Sequence, residues 1–170
     1  MTADSSDNAT PDAAETNGAE AVAATQSLTI NAQFIKDLSF EAPNSPAVLM
    51  TAQKSAPDIK INVDVQAGMV QEATFEVALN IHGECVMDGK TAFIVELTYG
   101  GLFTLNLPEE RRKPVLLIEC PRLLFPFARN VVADVTRDGG FPPLMLNPLD
   151  FAAMYRDGAN KTPAEKPADA

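Results

Sequence analysis

The sequence predicts an α+β fold in which a four-stranded antiparallel sheet packs against a long helix and a short C-terminal helix. Three observations support this prediction. Apolar and polar side chains alternate with period two in four segments, the last third of the folded region has a helical pattern, and Asp88-Gly89 separates two of the alternating segments. Such alternation indicates a sheet with one buried and one solvated face, which is typical of antiparallel sheets.

The predicted strands are, in order, Ser27–Glu41, Asp58–Gln66, Glu72–Val86 and Thr91–Tyr99. One face of the first strand is expected to be apolar, formed by Leu28, Ile30, Ala32, Phe34, Leu38 and Phe40. Asp88-Gly89 predicts a two-residue hairpin turn between the third and fourth strands. Gly100-Gly101 predicts a bend in the last strand or the close approach of another backbone.

The first two strands are joined by a long crossover loop, Ala42–Pro57. Its prolines favour an irregular, extended path, and its length excludes a tight hairpin. The middle of this loop carries three adjacent large apolar residues, Val48, Leu49 and Met50. An ordered surface loop has little reason to hold such a run unless the side chains pack against something or bind something.

The helical part begins near Pro108, which suits a first helical turn followed by Glu109 and Glu110. Pro121 is expected to begin the main helix, Pro126 to kink it unless it starts later, and Arg137 with Gly139-Gly140 to end it. Asn147 is predicted to cap a short helix over Pro148–Arg156.

The main helix is apolar around most of its circumference, from Leu123 to Val135. A surface helix normally shows a single apolar stripe. This helix and the segment Phe141–Leu146 must therefore be buried against other subunits, offered to a ligand, or both.

Composition divides the chain into a domain over residues 27–156 and two disordered tails, 1–26 and 157–170, which hold too little apolar surface to offset their chain entropy. The first thirty residues predict no signal peptide, and no apolar run is long enough to cross a membrane. Cys85 and Cys120 are expected to be free buried thiols in a reducing cytoplasm.

Charge and motifs argue against several functions. A net charge of −10 without a basic stripe is unfavourable for nucleic-acid binding, whereas an acidic face suits a basic protein partner. The single histidine, His82, is expected on the polar face, opposite to Cys85, so the two cannot form a nucleophile–base pair. We expect no enzyme, no metal site and no cofactor, although catalysis by Asp or Glu alone is not excluded.

The polar face of the sheet is the remaining candidate surface. Asp37 and Glu41 share this face on the first strand, and Ile94 and Glu96 share it on the fourth. The pattern alone leaves two interpretations open, a protein-docking patch or a solubilising face with stray apolar residues.

Four motifs carry a resemblance to a known family: K-D-L-S-F-E-A-P-N at Lys36–Asn44, G-G-L-F at 100–103, C-P-R-L-L-F-P-F-A-R at Cys120–Arg129 and F-P-P-L-M-L-N-P-L-D-F at Phe141–Phe151. In this order and spacing they resemble SecB, the bacterial protein-export chaperone family. The resemblance covers the whole predicted domain, from Leu28 to Tyr155. It departs in the crossover loop, which lacks the aromatic residues of many members.

The resemblance implies a cytoplasmic, ATP-independent holdase that binds unfolded precursor polypeptides and delivers them to the SecA export ATPase. It also implies a homotetramer, a dimer of dimers with the helices between the sheets, which would cover the apolar helix. The implied SecA-binding residues are Asp37, Glu41 and Glu96, with Ile94 between them. The implied client-binding residues are Val48, Leu49, Met50, Ile59, Ile61, Leu144, Leu146, Leu149 and Phe151.

The sequence leaves one alternative open. A small oligomeric carrier or enzyme could enclose an acyl or lipid-like ligand between its sheet and helix. That alternative predicts a closed cavity, whereas a chaperone predicts long open grooves and indifference to the client's sequence.

Overall fold

The computed structural model describes residues 27–50 and 55–160, so the segments 1–26 and 161–170 of the predicted tails lie outside the described residues. The described chain forms one four-stranded sheet with the strand order β1-β4-β3-β2, in which all neighbours are antiparallel. The strands are β1 (Ser27–Glu41), β2 (Asp58–Gln71), β3 (Thr74–Met87) and β4 (Lys90–Asn106). The predicted fold class is confirmed.

Two strands are longer than the sequence predicted. β2 continues to Gln71 rather than Gln66, and β4 continues to Asn106 rather than Tyr99. Gly100 and Gly101 do not interrupt β4; a Cβ atom at Gly100 would lie 2.7 Å from the Phe34 ring. The glycines therefore admit neighbouring side chains rather than a second backbone. The Asp88-Gly89 turn is confirmed, with φ of 47° and 77°.

The predicted faces of β1 are wrong in the middle of the strand. Its pairing with β4 shifts between Ile30 and Ala32 and again between Ile35 and Asp37. Because each bulge adds one residue, the stretch between them presents its side chains to the opposite faces. Phe34 consequently pairs with Gly100 on the outer, polar face, and Ile35 pairs with the core residue Tyr99.

The long helix starts twelve residues earlier than Pro121. It comprises α2 (Glu109–Pro114), a π-helical turn (Val115–Glu119) and α3 (Cys120–Asp138). Proline lacks the N–H for an i to i−4 hydrogen bond, and a wider turn is one way for a helix to absorb it. The π-helical turn ends next to Pro121, where the Cys120 N–H donates to the Val115 carbonyl.

The long helix ends where the sequence predicted, at Gly139, and an extended segment follows. The Phe141 N–H donates to the Thr136 carbonyl at 3.1 Å, and Gly140 adopts a φ of 90°. The last helix, α4, spans Phe151–Asn160 rather than Pro148–Arg156. Its cap is Asp150, not Asn147, because the Asp150 carboxylate accepts a hydrogen bond from the Ala153 N–H at 2.9 Å.

The core lies between the inner face of the sheet and the long helix. Its fully buried members include Leu79, Val95 and Phe103 from the sheet and Leu124 and Val132 from α3. None of the helices in the described part of the chain is both long and apolar enough to span a membrane.

The crossover loop connects the two opposite edges of the sheet, since β1 and β2 are the outermost strands. It contains a four-residue helix, α1 (Ala47–Met50). The Asn44 side chain donates to the Thr91 carbonyl, and the Ser55 hydroxyl donates to the Asp88 carboxylate, each at 2.8 Å. Both ends of the loop are thus attached to the hairpin that joins β3 to β4.

Candidate functional site

An apolar groove of about 520 Å³ lies beside β2 on the inner side of the sheet. We call it the β2 groove. One wall is formed by β2 and the other by the extended segment before α4 and the start of α4 itself. Its lining residues are Ile59, Ile61, Val63, Leu144, Met145, Leu146, Asn147, Leu149 and Met154.

The local sequence explains both walls. Alternation along β2 places Ile59, Ile61 and Val63 on one face, and the position of β2 at the sheet edge leaves that face only partly covered. Ile59 and Ile61 retain 42% and 40% of their accessible surface, while Leu144 and Leu146 are buried. The groove therefore has a closed apolar floor and an exposed apolar rim, which differs from an enclosed cavity.

The structure brings together five of the predicted client-binding residues, namely Ile59, Ile61, Leu144, Leu146 and Leu149. Val48, Leu49 and Met50 lie outside the β2 groove, on α1. The Leu49 side chain packs near Gly140, while Met50 is 83% exposed. Phe151 is 1% exposed and packs edge-on against Phe125, so it belongs to the core and not to the groove surface.

Sequence reasoning missed three further apolar residues of the groove, for different reasons, and the polar Asn147. Val63 has the same strand parity as Ile61 and was available from the alternation. Met145 and Met154 carried no such signal, because their contribution depends on the path of the chain around Asp150.

Two smaller depressions continue the β2 groove along the same strand. The first, about 290 Å³, is lined by Val65, Lys113, Leu117, Met154 and Tyr155 among others. The second, about 340 Å³, is lined by Met69, Phe75, Arg112, Leu116 and Leu117 among others. Shared lining residues join the three into one row that follows β2.

The predicted acidic residues lie on the outer face of the sheet, away from the β2 groove. Across β1 and β4, Glu41 is opposite Ile94, Ser39 is opposite Glu96, and Asp37 is opposite Thr98. Directly opposite residues share a face, so Asp37, Glu41, Ile94 and Glu96 form one surface, which we call the acidic face. Ile35 is not part of it, because the second bulge directs it to the other side.

A shallow depression of about 230 Å³ includes Asp37 and Glu96 of the acidic face. Asp64 and His82 also line it, together with uncharged polar and apolar residues. His82 is exposed, as predicted, and its Nδ1 atom lies 3.1 Å from the Glu96 carboxylate. The depression therefore combines several carboxylates with one imidazole.

The two cysteines, both within the described residues, are not activated nucleophiles. Cys85 and Cys120 are both free and buried, as predicted. Burial, reinforced by the nearby Glu119 charge, raises the pKa of the Cys120 thiol to about 12. Burial likewise raises the pKa of Cys85, with a smaller contribution from Asp58. Both thiols remain neutral at physiological pH and are poor nucleophiles.

Comparisons with known proteins point to one family. The family model described as "Preprotein translocase subunit SecB" matches residues 21–162. The protein-export protein SecB of Paramagnetospirillum magneticum is 57% identical over 139 residues, which are 82% of this chain and 90% of that protein. The protein-export protein SecB of Rhodospirillum rubrum is 54% identical over 142 residues, which are 84% of this chain and 88% of that protein.

A solved structure supports the same fold. A SecB-like chaperone of Mycobacterium tuberculosis, solved in complex with a peptide from an antitoxin, matches with a TM-score of 0.61. The sequence identity is 17%, and the match covers 74% of this chain and 92% of that chain.

Proposed function

The chain belongs to the SecB family of protein-export chaperones, and from this premise we propose that it holds unfolded precursor polypeptides in the β2 groove and delivers them to SecA. The observation that carries the proposal is the exposed apolar rim at Ile59 and Ile61 above a buried apolar floor. Folded proteins hide the side chains that such a groove accepts, so selection is for the unfolded state.

The magnitudes suit reversible holding. Each apolar side chain that a client buries contributes roughly 1.5–3 kcal/mol, and part of this offsets the cost of ordering the segment. Binding at one groove is therefore expected to be weak and fast. Several grooves on one assembly would raise the overall affinity without any new type of contact. The methionines of the groove, Met145 and Met154, suit clients of varied shape.

Holding is tested by substituting the groove rim. Ile61→Asp places a charge where the client's apolar side chains bind, and Ile35→Asp makes the same change at an exposed isoleucine on β1, at the opposite edge of the sheet and outside the groove. We expect Ile61→Asp to lose the ability to slow aggregation of an unrelated unfolded protein without ATP, while Ile35→Asp retains it. Equal protection by the wild type and a folded Ile61→Asp variant would contradict the groove assignment.

Delivery to SecA is proposed to use the acidic face. Asp37, Glu41 and Glu96 supply negative charge around the half-buried Ile94, an arrangement that suits a basic partner with an apolar anchor. The attraction is between exposed charges, so it should weaken as salt increases.

The acidic face is tested by charge reversal. Asp37→Lys with Glu41→Lys should weaken SecA binding strongly, whereas Glu109→Lys with Glu110→Lys, the same charge change at the start of α2, should not. Undiminished SecA binding by the first pair would exclude this docking surface. Client holding should survive in the first pair, because the β2 groove lies on the other side of the sheet.

A homotetramer in the cytoplasm, without a cofactor, completes the proposal. Leu123 and Phe127 are 41% and 50% exposed on the side of α3 that faces away from the sheet, which supports burial against another copy. Phe127→Asp is expected to reduce the mass measured by analytical ultracentrifugation, and an unchanged tetramer would contradict this interface.

The carrier alternative gains no support, because the groove is open along its rim.

A further inference from the structure

The sole histidine of the chain sits within the acidic face, in contact with one of its proposed docking carboxylates. His82 and Glu96 are direct partners across β3 and β4, and Nδ1 lies 3.1 Å from Oε1. Both side chains are about half exposed, at 48% and 57%. A cation arriving at Glu96 must therefore meet the imidazole as well.

We infer that His82 is a positioning residue that makes partner binding at the acidic face depend on pH, by neutralising Glu96 when the imidazole is protonated. This inference rests on the proposed docking of a basic partner. The neutral imidazole orients the carboxylate through an N–H donor and leaves its charge available. The imidazolium forms an ion pair with Glu96, and an incoming lysine or arginine then competes with it.

The surroundings of His82 favour this role. Asn62 lies opposite on β2, and pairing places Lys60 and Asp64 on the same face beside it. The charged groups around the imidazole on all four strands are Asp37, Glu41, Lys60, Asp64, Glu84 and Glu96. Acids outnumber the one lysine here, and the more distant Glu76 is paired with Lys36 at 2.7 Å. A proton on His82 therefore changes the charge of the acidic face where its carboxylates converge.

The sign of the effect follows from linkage. Binding of a cationic partner disfavours the imidazolium, so association near neutral pH should release a proton. Affinity should therefore fall as the pH is lowered from 8 to 6. Because the pair is exposed, the expected loss between pH 8 and pH 6 is modest, about two- to fivefold.

The test measures SecA binding at pH 8 and pH 6, at constant ionic strength, for the wild type, His82→Gln and His82→Lys. Titratable groups of SecA contribute equally to all three, so the ratio of affinities at the two pH values isolates His82. The ratio of the affinity at pH 8 to the affinity at pH 6 should be larger for the wild type than for His82→Gln. His82→Lys should bind SecA weakly at both pH values. The heat of wild-type binding should also depend on the ionisation enthalpy of the buffer.

An unchanged ratio in His82→Gln would overturn the inference, provided that the variant still prevents client aggregation and is therefore folded. This outcome is distinguishable from failure of the proposed docking itself. If Asp37→Lys with Glu41→Lys leaves SecA binding intact, the docking surface is wrong. If that pair weakens SecA binding and only the His82 ratio is unchanged, the docking surface stands and the histidine has no part in it.

Discussion

The hydroxyl of Thr136 accepts a hydrogen bond from the backbone N–H of Leu144 at 2.9 Å. Thr136 is the one buried polar residue of the described chain, and its hydroxyl also lies within hydrogen-bond distance of the Val132 and Ala133 carbonyls on its own helix. This contact joins α3 to the extended segment that forms one wall of the β2 groove. The Thr136 hydroxyl thus adds a polar attachment to the apolar packing of Leu144 and Leu146 in the core.

Thr136→Val is expected to destabilise the protein by about 1–3 kcal/mol, because it preserves the shape of the side chain but leaves the Leu144 N–H buried without an acceptor. Thr136→Ser is the matched control, since it keeps the hydroxyl and removes a methyl group. Hydrogen exchange should show a less protected Leu144 amide in Thr136→Val only. Equal protection of that amide in the two variants would mean that the hydroxyl does not hold the segment. Unfolding must be compared at one protein concentration, because assembly adds to stability.

Much of this fold could be predicted because its causes are local. Alternation identified all four strands, Asp88-Gly89 identified the hairpin, and Gly139-Gly140 identified the end of the long helix. The faces of β1 could not be predicted in full, since the bulges arise from its pairing with β4 and not from its own sequence. The start of α4 was misplaced because Asn147 and Asp150 are both good caps, and the path of the chain decides between them.

The candidate site, like the fold, could be predicted only where its causes are local. The resemblance implied that Ile59 and Ile61 bind clients, and strand parity placed them on one face, but parity alone could not indicate that β2 is an edge strand with a free flank. Phe151 looked equivalent to Leu149 in the sequence. The structure separates them, because α4 directs Phe151 into the core against Phe125.

The free edge of β2 leads to a prediction about how clients bind. Among the described strands β2 pairs only with β3, so its outward N–H and C=O groups are open to an extended chain. On binding a peptide of alternating leucine and serine, alternate β2 amides should gain protection in hydrogen exchange. N-methylation of the leucines and of the serines should weaken binding unequally, because only one set of peptide N–H groups faces β2. Equal affinity of both methylated peptides and the parent would show that the groove binds side chains without the backbone.

Two glycines of the sheet should respond oppositely to alanine. A Cβ atom at Gly101 would lie 2.7 Å from both Leu124 and Phe103, whereas a Cβ atom at Gly68 would meet nothing within 4 Å. Gly101→Ala should cost about 1–3 kcal/mol through overpacking between β4 and α3. Gly68→Ala should be neutral or stabilise by about 0.5 kcal/mol, because alanine loses less backbone entropy than glycine. Urea unfolding measures the free energy of unfolding of both variants. Similar midpoints for the two would contradict the close packing at Gly101.

The buried thiol of Cys120 predicts a loss of stability in alkaline solution. Its pKa is raised to about 12 in the folded chain, mainly by burial, whereas the pKa of a cysteine in an unfolded chain is about 8.5. Above the lower value the unfolded state loses a proton that the folded state keeps, so the free energy of unfolding should fall as pH rises between the two values. Cys120→Ala removes this thiol and should flatten the dependence of the free energy of unfolding on pH. Cys85 remains in both proteins and contributes equally to each.

The free energy of unfolding is measured by urea titration at several pH values from 7 to 10. Parallel curves for the wild type and Cys120→Ala over this range would mean that the thiol is not shielded from solvent as its burial indicates.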